Sequence, residues 1–390
     1  MELVSSGERR CWSIITGEYP PRPGGVSDYT RRVALGLAAS GERVLVWTAG
    51  EGPPARDDRG VEVRTIGRAF GPAQVWELER AHRRLPGARL LVQYTPHAFG
   101  LRGANLPLCA WLASSRRRPW VVFHEVCFPL APRRQPLRHS LLSLAQHGMA
   151  AMLHGAAGRS FVTCEAWKPI LRRVAPWGPE PVTLPVMSNL PEEVAPELVS
   201  SARRAVAGEG ELVIGHFGTY GSWFRERLRR DLPRLLSRPG RIALLAGRGG
   251  AATAAELSRL HPELAPRLRA VEGAGEEVAR HLAACDLLLQ PYPDGPTTRR
   301  GSLVSVLALG RPAVTCDGPL ADPAFREGGI VALARDPEGI VEAAEALLGS
   351  PSDREALGRS AALAYRERFA LARVIEALTQ EPEDRSCASR

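Results

Sequence analysis

The chain runs through one pattern twice: short apolar runs alternate with longer stretches whose apolar residues recur at helical spacing. Parallel strands covered by helices read in this way, because both faces of such a sheet are buried and no polar alternation is needed. In the first half the predicted strands are 11–16, 43–48, 61–65, 90–93, 120–123 and 160–163. A helix is predicted over 27–40, with Tyr29, Val33, Leu35, Leu37 and Ala38 available to its buried face. Proline density rises over 181–196, which reads as a linker. The pattern then restarts, with strands at 212–217, 241–245, 268–271, 287–290 and 313–315. Helices fit 225–236, 252–260, 276–284, 302–309 and 339–348, and 352–378 reads as one long amphipathic helix or a pair. A length of 390 residues suits two such domains. The expectation is an α/β protein of two doubly wound, Rossmann-like domains, 1–190 and 191–365, facing an interdomain cleft. Residues 366–380 are expected to form a closing helix placed to cross back to the first domain, and 381–390 a flexible tail.

The segment 291–302, Pro-Tyr-Pro-Asp-Gly-Pro-Thr-Thr-Arg-Arg-Gly-Ser, lies between a predicted strand and a predicted helix. Free backbone N–H groups and the positive end of a helix dipole collect at such a point. Thr298, Arg299, Arg300 and Ser302 add hydroxyls and bidentate donors suited to phosphate oxygens, so the loop is a candidate diphosphate site. Taken alone, a capped helix with two solvated arginines accounts for the same residues.

The formal net charge of +9 falls entirely within residues 1–195; the remainder is balanced. An anionic partner for the first half follows, such as lipid head groups, a lipid-phosphate acceptor or an acidic glycan. Arg116, Arg117 and Arg118, then Arg133, Arg134 and Arg138, are its densest points, and 136–152 brings Leu137, Leu141, Leu142, Leu144 and Met149 beside them. That combination is compatible with peripheral docking on an anionic membrane, and equally with a solvated helix over core leucines. No basic stripe interleaved with aromatics points to nucleic acid. The seven cysteines are scattered without C-x-x-C pairs, which favours a reducing compartment over a disulfide scaffold or zinc site. No apolar run approaches bilayer length and the first ten residues lack a signal-peptide apolar region, so a cytoplasmic protein is expected, with a peripheral position at the inner membrane face compatible.

The opening Gly17-Glu18-Tyr19-Pro20-Pro21-Arg22-Pro23-Gly24-Gly25-Val26-Ser27-Asp28-Tyr29 resembles the N-terminus of GT-B fold glycosyltransferases, the retaining group numbered family 4 above all. His216-Phe217-Gly218, Ala246-Gly247-Arg248-Gly249, Ala284-Cys285-Asp286-Leu287, Gly310-Arg311-Pro312-Ala313-Val314 and Tyr365-Arg366-Glu367-Arg368-Phe369 resemble the same group in the same order. The resemblance implies transfer of a sugar from a UDP- or GDP-type nucleotide-sugar to an acceptor hydroxyl, with retention, in glycan or glycoconjugate assembly. It implies an acceptor-side first domain, a nucleotide-sugar-binding second domain, and a glycan, lipid-linked or small-molecule acceptor. No Asp-x-Asp motif ends a predicted strand, which suits a metal-independent, cofactor-free enzyme whose positive groups stabilise the leaving diphosphate.

Gly24 and Gly25, between the first strand and helix, permit positive φ and close approach to a phosphate, as does any glycine turn. Ser27 and Asp28 read as a helix cap and a first-turn acid. His124-Glu125 follows a strand at the sheet's carboxyl edge; the resemblance puts a His near the transferred sugar, with Glu125 a candidate to receive the acceptor proton. Tyr94 and His97 are acceptor-side candidates, His97 with a structural role equally open. Gly218, Gly247 and Gly249 are candidate nucleotide contacts, joined by Tyr292 and Asp294, and Arg225 or Arg227 stands loosely where the family has a basic pair. Thr163-Cys164-Glu165 and Ser188-Asn189 have ordinary cap and turn explanations. The family's Glu-x7-Glu pair falls at Thr297 and Ser305, neither acidic. That departure leaves two other readings open: a GT-B nucleotide-sugar 2-epimerase, and a non-catalytic GT-B homologue binding a glycan or membrane surface.

Overall fold

In a computed structural model of the chain, described residues are 10–50, 53, 55–114, 116–129, 136–273 and 275–380. The expected tail 381–390, residues 1–9 and the Arg133-Arg134 pair lie outside them. Two compact units result, Met1–Pro185 with Leu371–Arg390, and Val186–Ala370.

The first unit is built on an eight-stranded sheet. Its strands are β1 (Cys11–Thr16), β2 (Arg43–Thr48), β3 (Ala55–Asp58), β4 (Val61–Thr65), β5 (Arg89–Tyr94), β6 (Trp120–Phe123), β7 (Arg159–Val162) and β8 (Val182–Thr183). They lie in the order β3-β4-β2-β1-β5-β6-β7-β8, parallel except for β3 against β4. Ile14, Ile15, Val46, Leu91, Val92, Val121 and Phe123 are fully buried, which explains why these strands read as unbroken apolar runs. The closing helix Leu371–Thr379 packs on the helix Gly25–Ala39 of this same unit. Gly36 makes room for it, since a Cβ there would stand 2.8 Å from Ile375 Cδ1.

The second unit carries six parallel strands: β9 (Leu212–Phe217), β10 (Arg241–Ala246), β11 (Leu268–Val271), β12 (Leu287–Leu289), β13 (Ala313–Cys316) and β14 (Ala332–Ala334). Their order is β11-β10-β9-β12-β13-β14, with β9 central between β10 and β12. The strand order reverses beside β9, and loops leaving the carboxyl ends there are where such sheets place ligands.

Local chemistry moves several expectations. The proline-rich stretch is a linker only in part. Val182–Thr183 pairs in the first sheet, and from Val186 the chain is tied into the second unit. The Val186 N–H donates to the Thr298 carbonyl (3.0 Å), and Ser188 Oγ donates to Ser305 Oγ (3.1 Å). The helix predicted from Ser27 starts at Gly25, and Ser27 Oγ donates instead to the Arg22 carbonyl at 2.6 Å, bracing the loop before it. The stretch 352–378 divides into Pro351–Ala364, a π turn at Tyr365–Phe369 and Leu371–Thr379, broken at an extended Ala370.

Candidate functional site

In the second unit, the ends of β9 and β12 and the start of the helix Gly301–Ala308 enclose a cavity of about 220 Å³. Gly218, Tyr292, Arg299, Arg300 and Ser302 line it, together with His216, Phe224 and Gln290. Tyr292 organises one wall. Its hydroxyl is 3.2 Å from Gln290 Oε1, which only accepts, so it donates there, and Ser302 Oγ at 2.8 Å donates to it in turn. Gln290 is held from behind through Nε2, which donates to the Phe217 carbonyl (3.1 Å). Burial pushes the Tyr292 hydroxyl up to about 12, so it stays a neutral donor. Rotating its proton to Ser302 would release the serine hydroxyl for a ligand oxygen.

Two guanidiniums meet one carboxylate here. Asp294 pairs with Arg300 and, at 3.4 Å, with Arg299. Gly295 has φ 88°, and a Cβ there would stand 2.9 Å from Gly318 N, so this sharp turn needs glycine.

Other candidates are placed differently. Thr298 is buried, and both its N–H (2.5 Å) and its hydroxyl (2.9 Å) donate to Asp322, so this hydroxyl holds the loop in shape and does not face the cavity. Gly247 has φ 103°, and a Cβ there would stand 2.5 Å from the Gly218 carbonyl oxygen. The close approach expected for a nucleotide is made by the chain's own backbone. Gly249, at φ 93°, precedes the helix Gly250–Leu260. Its N–H (3.0 Å) and that of Ala251 (3.1 Å) donate to Glu272, so an internal carboxylate occupies that helix start. Arg227 is locked in a buried pair with Asp231 (2.6 and 2.8 Å), and Arg225 stands 3.7 Å from Glu256. At the two places where the resemblance would put carboxylates, Thr297 is buried with its hydroxyl unpartnered among the described residues, and Ser305 donates to Asn189 Oδ1 at 2.9 Å.

The first unit's candidates follow the carboxyl ends of β1, β5 and β6. His124 is buried, its ring edge-on to Tyr29 (4.8 Å between centroids), and Nε2 donates to Gln93 Oε1 at 2.8 Å. Desolvation drives its pKa down to about 3, so it is a neutral imidazole. Glu125 is exposed. Glu18, which sequence reasoning passed over, is half-buried and its carboxyl is raised, first by desolvation and then by the Glu125 charge, against Arg22. The positive φ that the glycine pair permits is not used: Gly24 is extended at φ 171°, and Gly25 is the first helical residue. A Cβ on Gly24 would stand 2.5 Å from Glu18 Oε2, whereas the space beside Gly25 is open. Tyr94 corrects an expectation. It is fully buried between Phe99 and Phe123, a core residue and not an acceptor-facing one. His97 is exposed in the turn that follows.

Phe224 carried no sequence signal, Gln290 only that of a polar side chain closing an apolar strand, and His216 stood in a motif of the resemblance without a role of its own. That signal was available at His216 and Gln290, because a buried polar group in a central strand needs a reason.

No family model and no curated protein matches the chain. Solved structures do. The fold is similar to that of WaaG, a glycosyltransferase involved in lipopolysaccharide biosynthesis, at a TM-score of 0.65 and 16% identity over 95% of this chain and 100% of that one. Anabaena Alr3699/HepE, solved in complex with UDP and glucose, gives 0.67 and 15% over 95% and 98%. Sucrose-phosphate synthase from Thermosynechococcus elongatus gives 0.68 and 16% over 95% and 97%. The chain therefore has the GT-B fold of these glycosyltransferases.

Proposed function

We propose that this chain is a glycosyltransferase that moves a sugar from a UDP- or GDP-type nucleotide-sugar to an acceptor hydroxyl. The observation that carries the reading is the convergence of Arg300, Arg299, Ser302 and the start of the helix Gly301–Ala308 on one cavity of the second unit. Guanidiniums, a hydroxyl and helix N–H groups are the donors a departing diphosphate needs, and here they are fixed before a ligand arrives. HepE, which has the same fold, was solved with UDP and with UDP-glucose.

In this reading the C1–O bond to the diphosphate breaks, the freed charge is taken up at Arg299 and Arg300, and C1 bonds to the acceptor oxygen. Glu125, exposed at the edge of the first sheet, receives the acceptor proton, and Glu18 shares that negative region. His124 keeps its Nε2–H on Gln93 and acts as a neutral positioning group rather than as a base. We take the transfer to be retaining and metal-independent, as the resemblance to family 4 implies, with Gly24-Gly25 leaving room for substrate.

The acceptor side is also where we place contact with an anionic membrane. Leu137, Leu141 and Leu144 follow one another on the helix Leu137–Ala156 and are 75%, 59% and 62% exposed beside Arg138. Among the described residues no helix is long and apolar enough to cross a membrane.

The test is incubation of the full chain with UDP- and GDP-sugars and with glycan and lipid-linked acceptors. Release of nucleoside diphosphate with a glycosylated acceptor supports the reading. A free epimerised nucleotide-sugar would replace it with the 2-epimerase reading, and neither product with any pair would leave a binding protein.

A further inference from the structure

The cavity of the second unit contains an acceptor atom that no group of the described residues satisfies. His216 lies near the end of β9, and its Nδ1 is 2.7 Å from the carbonyl oxygen of Leu289 on the adjoining strand β12. A carbonyl only accepts, so the ring proton sits on Nδ1 and Nε2 carries a lone pair. Nε2 is fully buried and has no hydrogen-bond partner among the described residues, in a residue 2% exposed. Burial pushes the imidazole down to about 4, so a second proton is absent at neutral pH.

The ring cannot turn to find a partner. Tyr220 packs edge-on at 5.2 Å between centroids, its own hydroxyl near the His216 and Ala246 carbonyls (3.3 and 3.2 Å), and Phe224 lies at 5.9 Å. One side is open. A Cβ built on Gly218 would have Nε2 as its nearest neighbour outside the adjoining residues, at 3.7 Å, with nothing else within 4 Å. His216 and Gly218 line the cavity together with Arg300 and Ser302.

A buried acceptor without a donor is costly to keep, and because this one opens on the cavity beside Gly218, a ligand there can supply the donor. A deprotonated phosphate oxygen is the wrong group, since it would meet a lone pair. An anion belongs with Arg300 and Ser302 instead. We infer that His216 is a ligand-binding residue: its Nε2 accepts a hydrogen bond from a hydroxyl that enters over Gly218, beside the anionic group held by Arg300. The inference rests on the nucleotide-sugar reading above and sharpens it, for the hydroxyl belongs to a sugar ring, either the ribose or the transferred sugar.

Two substitutions separate this role from a structural one. In His216→Asn the amide nitrogen takes the place of Nδ1 and keeps the bond to Leu289, but nothing occupies the place of Nε2. In His216→Gln the longer amide reaches that place. Calorimetric titration of the full chain with UDP, UDP-glucose and 2′-deoxy-UDP, with the guanosine counterparts alongside, reads the difference. Asn should weaken binding roughly tenfold, the worth of one hydrogen bond, and Gln should restore part of it. Gly218→Ala, whose methyl meets Nε2 at an ordinary distance, should keep the fold and weaken binding at least as much.

If the ribose is the donor, wild type should bind 2′-deoxy-UDP as weakly as His216→Asn binds UDP. If the transferred sugar is the donor, the loss should appear with UDP-glucose and not with UDP. A folded His216→Asn that binds every probe like wild type overturns the inference while leaving the nucleotide-sugar reading intact. Should Asn not fold, unaltered binding by His216→Gln and Gly218→Ala together overturns it as well. Wild type that binds none of the probes removes both.

Discussion

Arg300 lays its guanidinium over the ring of Tyr292, 4.7 Å from the centroid, while the hydroxyl of that tyrosine meets Ser302 at 2.8 Å. One buried side chain thus sets both the cation of the loop and the hydroxyl of the following helix. Tyr292→Phe keeps the ring under Arg300 but leaves Gln290 Oε1 and Ser302 without their partner. It should lower unfolding free energy by about 1–2 kcal/mol in chemical denaturation and weaken nucleotide binding through Ser302.

Thr297 is fully buried with an unpartnered hydroxyl, at a place where the family carries a carboxylate. Thr297→Val keeps the shape and removes the orphan. Denaturant titration should show stability unchanged or raised by up to about 1 kcal/mol. A loss above that range would show that the hydroxyl has a partner.

His124 and His216 are both buried as neutral imidazoles, with folded pKa values of about 3 and about 4 against an ordinary 6.5. Depressed values mean that the unfolded chain binds protons first. The stability they contribute is complete above pH 6.5 and is lost as the pH falls toward 4 for His216 and toward 3 for His124, at up to about 1.4 kcal/mol per pH unit for each ring. Denaturation at pH 7.5, 6 and 5 should show that slope, shallower in His124→Gln.

Leu141 and Leu144 are exposed one turn apart on the helix Leu137–Ala156. Replacing both by Glu should leave thermal unfolding within a few degrees of wild type and abolish co-sedimentation with vesicles rich in phosphatidylglycerol. Undiminished co-sedimentation would move the membrane contact elsewhere.

Much of the fold was legible because fully buried parallel strands leave apolar runs that nothing else explains. The strands that escaped are those without such a run. The edge strand β3 is Ala-Arg-Asp-Asp, β8 has two residues, and β14 is held by pairing to β13. The division of 352–378 into a pair was one of the two readings, and the place of the break at Ala370 escaped because helical spacing continues through the π turn. At the site, Arg299, Arg300, Ser302 and Tyr292 could be read from a loop between strand and helix. Thr298 could not, since Asp322, which holds it, lies 24 residues onward. Tyr94 was misplaced because it closes β5, where the pleat decides whether a side chain enters the core. His216 stood in a motif of the resemblance, but no role could be read for it until the bond to Leu289 fixed its tautomer.

The central claim is that the loop at Arg299 and Arg300 holds a nucleoside diphosphate. Calorimetric titration of wild type and of the Arg299→Ala/Arg300→Ala double variant with UDP and GDP tests it most directly. Losing two charge-assisted contacts should weaken binding of the preferred nucleotide by about a hundredfold or more, with the variant still cooperatively folded. Equal dissociation constants for wild type and a folded double variant would contradict the account.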